Sequence, residues 1–87
     1  MWVVTTNEEL VNIAHARRVA VHIGGDGDAA SVVAYFEDGE CVTLAEVLQR
    51  GDQGYALSMA RAYYRAIQQS LRGGEPFCNL CTHGEAT

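Results

Sequence analysis

From Asp52 to Arg72 the residues sort onto two faces of a helix. Leu57, Ala60, Tyr64, Ile67 and Leu71 recur at spacings of three and four, and Ala56, Met59, Tyr63 and Ala66 run beside them, so the apolar face is broad. Ser58, Arg61, Arg65, Gln68, Gln69 and Arg72 occupy the opposite face. Gly51 and Asp52 read as punctuation and N-cap, Gly73-Gly74 as the stop, and Pro76 prevents the helix from resuming.

Upstream the period changes to two. Trp2 to Thr6 reads as a short strand rich in valine and threonine. Val19, Val21 and Ile23 alternate with Ala20 and His22, which places His22 on the outer face of a half-buried strand. Gly24 to Asp28 is a loop, Ser31 to Phe36 the next strand, and Asp38-Gly39 a hairpin turn before Cys41 to Leu44. Residues 7–17 admit two readings. Thr6 with Glu9 is a capping-box pattern for a helix lined by Leu10, Ile13 and Ala14; Leu10 to Ile13 also reads as a second strand after a turn at Asn7-Glu8-Glu9. Local rules favour the helix slightly.

The order of these segments resembles a group of small bacterial and phage proteins of uncharacterised function. Leu10-Val11-Asn12-Ile13, Val33-Ala34-Tyr35-Phe36-Glu37-Asp38-Gly39 and Val42-Thr43-Leu44-Ala45-Glu46 carry the likeness, which spans roughly residues 2–72. It implies a strand at residues 10–13 and brings no function with it. The expected fold is α+β: an antiparallel meander of about four or five short strands packed against one long C-terminal helix. A single domain over 1–74 is expected, followed by a tail over 75–87 with too little apolar surface to hold itself down. Val21, Ile23, Val33, Val42, Tyr64 and Ile67 are the expected core.

Eighty-seven residues suffice for one thin core. Eleven acids face six bases, all arginine, for a formal charge of −5, which disfavours direct binding to nucleic acid. No apolar run approaches a membrane span, and Met1 to Asn7 lacks the basic and apolar regions of a secretory signal, so a cytoplasmic protein is expected.

Cys78-Asn79-Leu80-Cys81-Thr82-His83 is the one run with metal-ligand spacing. Two thiolates separated by two residues suit zinc, His83 is the candidate third ligand, and the fourth would have to come from the sheet, from Cys41 or from His15 or His22. A lone Cys-x-x-Cys after a helix end is more often incidental, and no cofactor is the leading expectation. Gly24-Gly25-Asp26-Gly27-Asp28 precedes a strand, not a helix, so it is no phosphate cradle, and it carries too few oxygens for calcium. No serine sits in an activating Gly-x-Ser-x-Gly setting. An enzyme is therefore the least favoured class.

What remains is recognition. Arg61, Arg65 and Arg72 form a basic stripe, more often a solvated face but also suited to a carboxylate-rich partner or a phosphate backbone, and Glu37, Asp38 and Glu40 gather at one turn. The expected function is a small acidic, non-enzymatic interaction protein that binds a protein partner or a second copy of itself. The alternatives are a phage-type inhibitor of a nucleic-acid-processing complex, of the anti-CRISPR sort, acting through acidic surface, and a small zinc-binding module.

Overall fold

A computed structural model describes residues 1–24, 28–51 and 54–83, with residues 82 and 83 described by backbone alone. Strands β1 (Trp2–Val4), β2 (Leu10–Asn12), β3 (Ala16–Ile23), β4 (Ala29–Phe36) and β5 (Cys41–Leu48) precede helix α1 (Tyr55–Arg72). Strand β6 (Phe77–Asn79) and the single turn α2 (Leu80–His83) follow it. The fold is α+β, as expected, with six strands in two three-stranded sheets among the described residues. One has the order β3-β4-β5 and is antiparallel throughout; the other has the order β2-β1-β6, with β6 parallel to β1.

Residues 7–17 are strand and turns. The capping chemistry read at Thr6 is present one residue earlier and serves a turn: the buried Thr5 Oγ1 accepts hydrogen bonds from the Asn7 and Glu9 amides, at 3.2 and 3.0 Å. Glu8 takes a positive φ of 63°, which ends any helical path, and the Thr5 amide donates to the Glu9 carbonyl to close the β1–β2 hairpin.

The two sheets meet at a bulge. Val32 pairs with Ala45 and Val33 with Thr43, so Leu44 is the extra residue in β5 and both Leu44 and Ala45 are buried. Beside the bulge the Thr6 amide donates to the Leu44 carbonyl at 3.1 Å, and Thr6 Oγ1 accepts from the Glu46 amide at 3.3 Å. A single threonine thus joins the small sheet to β5.

Helix α1 lies mainly across β4 and β5 and touches β3 less. Ala30, Ala34 and Ala45 on the sheet and Ala56 and Ala60 on the helix are almost fully buried, in one core with Val32, Leu44 and Ile67. Its buried line is Ala56, Ala60, Tyr63, Ile67 and Ser70, so the face is rotated from the expected one and Leu71 is left 54% exposed. The expected core is corrected at two further positions. Val33 points away from the helix because Val32 and Ala34, its neighbours, point toward it. Ile23 pairs with Ala30 on the helix side but stands on the edge strand, 59% exposed. Val21, Val42 and Tyr64 are half-buried; Ile67 is the one fully interior member of that set.

Both ends of α1 are defined by backbone geometry. The helix starts at Tyr55 after Gly54, whose φ is 87°, and the Ala56 amide donates to Gln49 Oε1 at 2.9 Å, so an upstream side chain caps it. Asp52, the expected cap, lies outside the described residues. At the other end the Gly74 amide donates to the Leu71 carbonyl and the Glu75 amide to the Ser70 carbonyl, with Gly74 at a φ of 68°. This pair of bonds is a Schellman motif, and its left-handed residue is best supplied by glycine.

The turn aims the chain back at β1, where the Trp2 amide donates to the Pro76 carbonyl at 2.8 Å. The expectation of a loose tail from residue 75 is therefore corrected. Residues 77–79 form a strand on β1, and Cys78 and Leu80 belong to the core. Leu80 has no exposed surface, so Leu80→Ala should cost about 2–5 kcal/mol, comparable to Ile67→Ala. Truncation after Gly74 should leave Val3 uncovered and abolish cooperative unfolding. Urea titration followed by circular dichroism checks both, and a truncated chain that melts like the full one would contradict this placement.

Candidate functional site

The candidate metal ligands are spread over β5, β6 and α2. Cys41 is exposed at the start of β5, Cys78 is buried in β6, and Cys81 is partly buried in α2. The His83 side chain lies outside the described residues. Among the described residues no three His, Cys, Asp or Glu side chains come close enough together to hold a metal ion. Burial pushes the Cys78 thiol above its ordinary value, a hydrogen bond with Ser70 pulls the other way, and the nearby Glu75 carboxylate adds to the rise. Burial also raises the Tyr63 hydroxyl, helped by Tyr55 and Cys81.

The outer face of the large sheet carries a linked trio. Tyr35 on β4 reaches across to β3, where its hydroxyl hydrogen-bonds His22 Nε2 and the two rings meet edge to face, centroids 5.7 Å apart. The Arg18 guanidinium lies 4.4 Å from the centroid of the same ring, at cation–π distance. His22 thus sits outward, as its place in the alternation requires. The small sheet has an apolar outer face: Trp2 and Phe77 are register partners, 41% and 54% exposed, with Leu10 also exposed on β2.

The candidate acids do not sit with the stripe arginines, and Glu40 instead shares a hollow with Arg17 and Arg18. Glu37, Asp38 and Glu40 are exposed around the β4–β5 turn, where the Glu40 amide donates to Asp38 Oδ1 and Gly39 takes a φ of 90°. The sequence stripe of arginines is divided. Arg61 and Arg65 stand over a groove of about 480 Å³ beside β3, and Arg72 lies beyond it.

That groove brings Arg61 and Arg65 of the stripe beside a strand edge. One wall is the strand Val19 to Val21; the other is the α1 stripe Arg61, Tyr64, Arg65 and Gln68. It continues toward the β2–β3 corner in a second hollow, where Ile13 and Ala16 meet Tyr64, Gln68 and Leu71. The helix therefore runs back along β3. Among the described residues β3 pairs with β4 alone, so its other edge is open along the groove, and neither Arg61 nor Arg65 is in an ion pair. Sequence reasoning found the arginines through their spacing. It missed the open edge, because which strand ends a sheet is decided by pairing order and leaves no local signal.

The cysteines give a direct check of this geometry. Under native conditions a thiol-alkylating reagent should modify Cys41 rapidly and Cys78 only after unfolding, since Cys78 is 6% exposed and held as the thiol. Peptide mass mapping after timed labelling reads this; equal native rates at the two positions would contradict it.

Comparison with known proteins adds no relative: no family model, no curated protein and no solved structure matches this chain. No helix among the described residues is long and apolar enough to cross a membrane.

Proposed function

We propose that this protein is a non-enzymatic binding protein that holds another polypeptide by accepting it as an added strand along β3. The supporting observation is the open edge of β3 lying beside the exposed stripe of α1. An unpaired edge offers amide donors and carbonyl acceptors in a row, and a helix alongside it supplies side chains that select among bound sequences. The edge of β5, by contrast, already carries the Thr6 hydrogen bonds.

Pairing two copies through β3 is the less favoured version. It would bring Arg61 and Arg65 of both molecules into one cleft, and like charges at close range oppose association. A partner chain of different composition fits better.

Selection of random peptides displayed on phage against the immobilised full-length protein tests the reading without prior choice of ligand. Selected peptides should slow hydrogen exchange of the β3 amides between Val19 and Val21. Peptides that protect only other segments, or a selection that yields no binder, would overturn strand addition at β3.

A further inference from the structure

Resting on the strand-addition reading above, we infer that the β3 groove selects an extended segment with acidic residues at alternate positions, an acid-x-acid pattern. In an added strand every second side chain faces α1, and those side chains are spaced about 6.6 Å apart. Arg61 and Arg65 are one helical turn apart, a rise of about 6 Å, and α1 runs back along β3. Two alternate carboxylates therefore meet two successive guanidinium groups. Tyr64 and Gln68 between and beyond them provide an apolar floor and a neutral hydrogen-bonding partner at the end of the row.

Charge supports the same occupant. Both arginines are exposed and free of ion pairs among the described residues, so a ligand carboxylate displaces water and no internal partner. The side chains of the added strand that face the other way meet the Arg18, His22 and Tyr35 surface, which suits small or polar residues. A nucleic-acid strand is the poorer occupant. It lacks the alternating amides that an open strand edge requires, and the chain as a whole carries a charge of −5.

Fluorescence anisotropy with labelled Ser-Thr-Glu-Val-Glu-Thr-Ser tests the inference on the full chain, with glutamine-for-glutamate and lysine-for-glutamate peptides, an N-methylated form and a short oligothymidylate as comparators. The glutamate peptide should bind, weaken with added salt, and bind on the order of tenfold more tightly than the glutamine peptide, each exposed ion pair contributing a few-fold. The double variant Arg61→Glu, Arg65→Glu should lose that preference and favour the lysine peptide, and Arg61→Gln, Arg65→Gln should lose it without reversing it. N-methylation should abolish binding, as it removes amide donors. Equal binding of glutamate and glutamine peptides would overturn the acid-x-acid inference and leave strand addition standing. Failure of every peptide would overturn both readings, and tighter binding of the oligothymidylate would give the groove to nucleic acid instead.

Discussion

A single helix has to cover a three-stranded sheet, and it is too narrow to do so. Strands lie 4.7–4.9 Å apart and a helix with its side chains is about 10–12 Å across, so one helix shields about two strands. Here α1 lies mainly across β4 and β5, where Ala30, Val32, Ala34, Leu44 and Ala45 are buried in one core with Ala56, Ala60, Tyr63 and Ile67 of the helix. β3 is left at the margin with Val19 and Val21 half-buried and its outer edge unpaired. The groove and the exposed arginines above it follow from that placement, and the open hydrogen-bonding edge follows from the β3-β4-β5 pairing order.

The second sheet solves a different problem. The end of α1 and one side of the core need cover, and the chain supplies it by returning after Gly74 to lay β6 beside β1. Cys78 and Leu80 then close the interior against Val3, with Ser70 meeting Cys78 across the interface. Thr6 ties this unit to β5 through two hydrogen bonds beside the bulge. Glu37, Asp38 and Glu40 are not among the residues that line the groove of Arg61 and Arg65.

Features set by local chemistry were legible in the sequence. Asp38-Gly39 makes the hairpin, Gly73-Gly74 stops the helix, His22 faces outward, and Arg61 and Arg65 are solvent-facing. Features set by distant pairing were not. Val33 looks as apolar as Val32, and parity alone puts one outside and the other inside. Phe77-Cys78-Asn79 carries little intrinsic strand character, and becomes a strand because β1 offers an edge. Thr5 and Glu8 turn a pattern that reads as a helix start into a hairpin turn, through a side-chain hydrogen bond and one positive φ. The groove belongs to this second group, since its arginines announce themselves and its open edge does not.

The central claim is that the outer edge of β3 is open beside α1. The most direct measurement is nuclear magnetic resonance of the free protein with a neutral, soluble paramagnetic relaxation agent, read amide by amide. Along β3 every second amide should be strongly broadened, in the period-two pattern of a strand with one unpaired edge, while the Val32 to Ala34 amides of β4 stay unaffected. Uniform protection along β3, equal to that of β4, would mean that something covers this edge and would contradict the account.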